Sequence, residues 1–364
     1  VSAVDASDGV RVAELDSIPG GIGFTAQLTA SYADVGYDLV GGAHGLVEVF
    51  WEAVAATAKA EEPIVCIVVS DESEPYREEM EWLAAALRER GRPVHCRHPR
   101  DLHVDDDGVL IDDGSARIRV DVVYRFFELF DLPNIPKVEL VAYHAKKNAV
   151  RVTPPMKTFL EEKMWMALFH HPQLAEFWQR ELPREGWEIL SGIFPQTWVL
   201  DSTPAPPHMV VPDLQIRGRP VGDWDQLMHL SKKERELVIK PSGFSVDAQQ
   251  SRGVTVGHDV PEEEWQAALT QAVQAFEVHP HVLQNFHKGA RLPARYYDFE
   301  SDDIKSMHGR VLLRPYYYVV GDHVRLAGVQ CLVCPADKKV LHGMTDAVLV
   351  PAAVREAAPE ADAA

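Results

Sequence analysis

Two lysines and two carboxylates, far apart in the chain, are the side chains whose placement points to chemistry. Lys240 ends the apolar run Leu237-Val-Ile-Lys240, where an unpaired ammonium is costly, and Pro241-Ser242-Gly243 then breaks the run. Gly243 would let backbone approach a ligand closely. The polar loop that follows carries a second pair, Arg252-Gly253. Lysine, arginine and backbone N–H groups together suit a polyphosphate, which needs positive charge and several donors. The plain alternative is a strand-end lysine snorkelling to water. Lys163 is a lone cation in the apolar run Met164-Trp-Met-Ala-Leu-Phe169 and its flank, and reaches either a phosphate or its neighbours Glu161 and Glu162. Glu14 and Asp16 are two residues apart on a predicted strand, so both carboxylates leave one face. Like charges so placed repel unless they are solvated or share a cation. Oxygen ligands of this kind, completed by phosphate oxygens, suit Mg2+.

Other candidates are weaker alone. Gln284 and Asn285 follow the apolar stretch His281-Val-Leu283, and a polar strand-to-loop hinge there can read an adenine edge. Arg314 is an isolated cation inside Val311-Leu-Leu-Arg-Pro-Tyr-Tyr-Tyr318, a candidate for neutralising a transferred phosphoryl group or for pairing with a buried carboxylate. Arg125, between Tyr124 and two phenylalanines, binds a substrate carboxylate or stacks as a structural cation. The turn Ser17-Ile-Pro-Gly-Gly-Ile-Gly23 lacks the G-x-G-x-x-G spacing of a dinucleotide site. Cys331 and Cys334 form a C-x-x-C, but on a predicted strand residues three apart point to opposite faces.

The elements that must position these groups follow from periodicity. Residues 10–16 read as a strand and 46–60 as an amphipathic helix. From residue 63 a βαβ pattern begins: strand 64–69, helix 74–90, strand 93–97, a hairpin strand between acidic turns, and strand 120–124. Residues 156–180 are helical with an interruption at Pro172, 193–200 a strand, and 203–220 a Pro-rich surface stretch. Strands at 237–240, 255–257 and 281–286, a helix at 262–276, a hairpin of 310–319 with 323–333 across Gly321-Asp322, and a last strand at 347–350 complete the pattern. The expected division is 1–60, 61–150 as a small open α/β domain, 151–351, and a frayed tail at 352–364.

Composition sets bounds on function. The 364 residues exceed one compact core, and 46% hydrophobic with 25% charged residues is a folded balance. A formal charge of −19 argues against nonspecific nucleic-acid or anionic-membrane binding. No apolar run approaches the ~20 residues that span a bilayer. Four cysteines are too few for a disulfide scaffold and fit a cytoplasmic location. The chain starts without an initiator Met, which fits a natural protein with a further N-terminal segment.

The order of these elements, strand with Lys, loop, helix, strand with polar hinge, is that of an ATP-grasp nucleotide site. In detail the sequence resembles the glutathionylspermidine synthase family, whose ATP-grasp domain is circularly permuted. Val12-Ala-Glu14-Leu-Asp16-Ser-Ile-Pro19 is similar to that family's E-x-N-x-D/S-x-P metal strand. Glu162-Lys163-Met-Trp-Met-Ala-Leu-Phe169 is similar to its N-K-A-L-L-P-L-L-W helix, and Lys240-Pro-Ser-Gly243 with Ser251-Arg-Gly253 to its K-P-x-x-G-R-E-G loop. Leu283-Gln284-Asn285 stands for its Y-Q-E hinge, and Val123-Tyr-Arg-Phe-Phe127 for its aromatic strand.

The resemblance implies a carboxylate–amine ligase that uses ATP and Mg2+ and passes through an acylphosphate. In it Lys163, Lys240, Ser242, Gly243, Arg252 and Gly253 would hold phosphates, Gln284 and Asn285 adenine, Glu14 and Asp16 the metal, Arg314 the acylphosphate and Arg125 a substrate. Three departures stand out. The family's third metal carboxylate would fall near Ser2 or ahead of Val1, with Asp5 the nearest acid; its G-I-G-R-E loop has no match over 326–339; and no amidase domain is attached. Glutathione and spermidine are therefore not implied, nor is an oligomeric state. The rival readings are a nucleotide- or partner-binding protein that kept the fold and lost turnover, and a dinucleotide or nucleotide-sugar enzyme.

Overall fold

A computed structural model describes residues 2–6, 9–203, 206, 208–242, 245–248, 252–338, 341 and 347–354. The expected phosphate-loop residue Gly243, Ser251 of the resembling loop, and most of the tail lie outside them.

The βαβ reading corresponds to a parallel four-stranded sheet, in the order Val94–Arg97, Val65–Val69, Val122–Phe126, Arg151–Thr153. Val65–Val69 is buried along its whole length, as a central parallel strand covered on both faces must be. Its side chains alternate between two cores. Val65, Ile67 and Val69 pack with Met80, Leu83 and Leu87 of the helix Arg77–Glu89, while Cys66 and Val68 pack with Val141 of the helix Val138–Lys146. The first of these cores does not stop at the sheet. It continues through Ile22, Leu46 and Phe50 to Tyr316 and Ala327, so buried side chains join the N-terminal helices, the parallel sheet and the late strands.

Those late strands form a six-stranded antiparallel sheet. Val348–Pro351, His323–Pro335, Asp303–Val320, Ser2–Ala6 and Gly9–Glu14 lie side by side, with Arg291–Asp298 also paired to Asp303–Val320. The first strands of the chain therefore sit in the same sheet as its last. The predicted hairpin turns where expected: Val320 pairs with His323 across Gly321-Asp322, and Gly321 takes φ 59°, as a two-residue hairpin requires.

A four-stranded antiparallel sheet, ordered Thr197–Leu200, His281–Asn285, Leu237–Pro241, Thr255–Val256, carries the Lys240 segment. Trp265, Leu269 and Ala272 of the helix Glu262–Gln274 bury one of its faces.

Four sequence expectations change. The strand holding Glu14 ends there, and Asp16 lies beyond it in irregular chain. Residue 193 closes the helix Arg184–Ile193, and Pro195 delays the strand to Thr197. The Pro-rich stretch contains a small hairpin, Gln215–Ile216 with Arg219–Pro220, turned by Arg217 and Gly218, both at positive φ. The strand expected at 310–319 starts at Asp303 and gains the partner Arg291–Asp298, a mostly exposed stretch with no apolar alternation to reveal it.

Candidate functional site

Two cavities meet between the late antiparallel sheet and the Lys240 sheet. One is small, about 130 Å³, and the other wide, about 830 Å³; Glu14, Ala248, Leu312 and Leu341 line both. Among the described residues the small cavity is walled by Val12, Val238, Val256 and Phe286 and carries Arg11, Lys163, Lys240 and Arg310 against a single carboxylate, Glu14. The wide cavity reverses the balance, with Glu14, Asp16, Glu72, Glu78, Glu79 and Glu128 against Arg314.

Lys240 enters the small cavity from the end of its strand. Its Nζ donates to Gln284 Oε1 (2.8 Å) and to the Ala13 carbonyl (3.1 Å), two of its three N–H donors. Burial lowers its pKa to about 8; the Glu14 carboxylate raises it and Lys163 lowers it further. Lys163 comes from the opposite wall, one residue before the helix Met164–His170. It is buried, donates to the Ala248 carbonyl (3.2 Å), and stands 3.9 Å from the Glu14 carboxylate. The sequence left Lys163 to choose between a phosphate and Glu161 or Glu162; the structure turns it instead toward Glu14. Ser242 joins the two walls, its Oγ donating to Glu162 and accepting from Met164 N–H (3.1 Å).

Gln284 departs from the expected hinge. It lies inside the strand, buried, with Nε2 donating to Thr197 Oγ1 (3.0 Å) and lying 3.1 Å from Met166 Sδ. Its amide is thus engaged at both ends, and its carbonyl orients Lys240. Asn285 ends the strand and lines the small cavity beside Phe286.

Glu14 lines both cavities and Asp16 the wide one, although only Glu14 is on the strand. Asp16 is open to the cleft yet closely walled by protein. That enclosure and the Glu14 charge raise its pKa to about 6, with Lys163 and Arg314 pulling it down. A carboxylate raised by burial and by a neighbouring carboxylate is the donor set a divalent cation relieves, so this pair fits Mg2+. Among the described residues no group of three or more His, Cys, Asp or Glu forms a metal cluster, so further ligands would come from phosphate oxygens and water.

The remaining predicted residues divide. Arg314 lines the wide cavity, its Nη1 3.5 Å from Gln330 Oε1. Arg252 reaches across to Glu72 (3.0 Å), tying the loop to the rim of the parallel sheet. Gly253 packs so closely that a Cβ would lie 2.7 Å from Pro241 Cγ and 2.9 Å from the Asp247 carbonyl. Arg125 is not placed to take a substrate carboxylate. It is fully buried, donating to the carbonyls of Phe127 (2.7 Å) and Pro154 (3.3 Å), to Ser17 Oγ (2.9 Å) and to Glu161 (3.2 Å). Its guanidinium clamps three chain segments together.

Several cavity residues escaped the sequence reading. Glu128 lies just after a buried strand, where burial and the Glu161 charge raise its pKa to about 8 and Arg125 lowers it. Glu79 accepts from the N–H groups of Gly21 (2.6 Å) and Phe24 (3.2 Å), so it holds the start of the helix Ile22–Asp34 at the cleft. Arg310, Leu312 and Arg314 leave one face of one strand, a signal already present in the strand expected at 310–319.

The chain was compared with known proteins. No family model matches it, and no curated protein does. Among solved structures, an apo glutathione synthetase-like effector from Globodera pallida matches at a TM-score of 0.50 and 11% identity, covering 92% of this chain and 68% of that one. The chain has a glutathione synthetase-like fold. A putative gamma-glutamylcysteine synthetase from Methylobacillus flagellatus matches at a TM-score of 0.48 and 10% identity, covering 96% of this chain and 79% of that one. Among the described residues no helix is long and apolar enough to cross a membrane.

Proposed function

We propose that this glutathione synthetase-like chain is an ATP-dependent carboxylate–amine ligase of the ATP-grasp type, related to the permuted glutathionylspermidine synthases. The observation that carries the reading is the junction at Glu14. There a narrow basic pocket with apolar walls, suited to a nucleotide, opens into a wide acidic cleft, suited to an amine in its ammonium form. The sharing of one sheet by the first and last strands supports the permuted arrangement. In this reading residues 1–60 belong with 151–351, and residues 61–150 form the α/β wall of the cleft.

ATP would enter the small cavity and extend to its junction with the wide one, adenine toward Asn285 and Phe286 and phosphates toward Lys163, Lys240 and the Ser242–Gly253 loop. Mg2+ held by Glu14 and Asp16 would neutralise charge on the phosphates. The substrate carboxylate would receive the γ-phosphoryl group at the junction, with Arg314 facing the developing charge from the wide side. An amine held by the acidic cleft would then attack the acylphosphate, forming the amide and releasing phosphate. Glu128, with its raised pKa, is a stronger base than an ordinary carboxylate and stands in the cleft to accept the amine's proton. Most of the catalysis is positioning and charge neutralisation.

The test is ADP release that requires both a carboxylate and an amine and is abolished by Lys240→Met. A second reading, nucleotide binding without turnover, draws on the lack of a three-carboxylate metal cluster among the described residues. It predicts saturable ATP binding with no ADP formed across the same substrate pools.

A further inference from the structure

The strand Asp303–Val320 carries two arginines on one face, because side chains an even number of residues apart leave a strand on the same side. Between them stands Leu312, which lines both cavities. Arg314 lines the wide cavity and Arg310 the small one. A single strand thus delivers one guanidinium to each side of the junction.

Arg310 is only 4% exposed, yet it is sparsely partnered. Its Nη1 donates to the Lys338 carbonyl (3.1 Å), while its Nε is buried without a hydrogen-bond partner among the described residues. A guanidinium taken out of water in this way is costly unless acceptors meet it. The contact with Lys338 does not account for that cost. The same segment is already held by Ala336 N–H to the His308 carbonyl (3.0 Å) and by Lys338 N–H to the Pro335 carbonyl (3.0 Å). Arg291, paired directly across the ladder from Arg310, adds a like charge. Asp337 offers a counter-charge but forms no ion pair with Arg310 among the described residues, and the cavity that Arg310 lines holds Lys163 and Lys240 against one carboxylate, Glu14.

We propose that Arg310 is a further phosphate-gripping residue of the small cavity, contacting the polyphosphate of a bound nucleotide from the wall opposite Lys240. The proposal rests on the nucleotide reading of that cavity. It adds to it a residue that matches none of the sequence motifs, and it divides labour along one strand: Arg310 for the nucleotide's own phosphates, Arg314 for the phosphoryl group in transfer.

The experiment measures binding of ATP, ADP and adenosine, with Mg2+, to the full chain and to its Arg310→Gln and Arg310→Lys variants by titration calorimetry. A charge-assisted fork lost from a phosphate weakens ATP and ADP by roughly tenfold or more, with adenosine unchanged. Arg310→Lys keeps the charge without the fork, so it retains part of the ATP affinity and all of the adenosine affinity. Wild-type ATP affinity in both variants overturns the proposal and leaves the nucleotide reading standing. Equal weakening of ATP and adenosine also overturns it, because that pattern reports a merely structural arginine. No binding of any adenine nucleotide by the wild-type chain overturns the nucleotide reading and the proposal together. If Arg310→Gln does not fold, Arg310→Lys decides alone: ATP weakened several-fold with adenosine unchanged supports the proposal, and unchanged ATP refutes it.

Discussion

Replacing Arg125 with Met tests whether that arginine is a clamp or a substrate ligand. The side chain is fully buried and spends its donors on two carbonyls, one hydroxyl and the Glu161 carboxylate. Methionine refills much of the volume but leaves Glu161, only 12% exposed, without its cation. Breaking one side of a buried ion pair costs roughly 3–5 kcal/mol. Each stranded carbonyl adds about 1–3 kcal/mol where water cannot reach it. Protonation of Glu161 recovers part of that, so the expected net loss is about 4 kcal/mol, a large share of the ~5–15 kcal/mol that holds a typical fold. Urea denaturation of the wild type, Arg125→Met, Glu161→Gln and the double variant measures it. The double variant should be less destabilised than the sum of the singles, since it no longer buries an unpaired charge. A loss below about 1 kcal/mol, joined to weaker binding of a carboxylate substrate, would refute the clamp and restore the substrate role.

Other outcomes follow from the same geometry. Gln284→Leu removes the acceptor that orients Lys240 and should weaken ATP by about tenfold with little effect on adenosine, the value of one hydrogen bond to a charged group. Because Lys240 titrates near 8, nucleotide affinity should fall as pH rises through that value, and Lys240→Arg, always charged, should flatten the profile. Glu128 is raised from 4.5 to about 8 in the folded chain, so folding binds its proton between those values and stability declines as pH rises across them. Glu128→Gln should therefore gain stability over the wild type progressively from pH 4.5 to 8 and show no gain below 4.5, read from melting temperatures against pH.

Much of this arrangement is legible in the sequence because burial is written in local pattern. A lysine closing three apolar residues announces the Lys240 strand, and unbroken apolar runs announce the parallel sheet. What stays hidden depends on partners distant in the chain. Asp16 lies beyond Glu14, the last residue of its strand, and the pairing that defines that strand comes from a neighbouring strand rather than from the local pattern. Gln284 turns inward because Thr197 and Lys240 meet it from neighbouring strands. Arg125 carries the composition of a ligand-binding arginine, and only the arrival of Ser17, Pro154 and Glu161 from elsewhere shows it to be fully engaged. Arg310 opens the strand expected at 310–319, but nothing local marks it; its place in a cavity with Lys163 and Lys240 comes from elements distant in the chain.

The central claim is that the two cavities meeting at Glu14 join a carboxylate to an amine at the expense of ATP. Its most direct test incubates the chain with Mg2+ and ATP, with pools of carboxylates and amines together and separately, and follows ADP and product mass. The account predicts ADP release only when both pools are present, a product mass equal to the two substrates less one water, and loss of both signals in Lys240→Met. ATP bound tightly with no ADP formed in any pool, or ADP released without a condensed product, would contradict it.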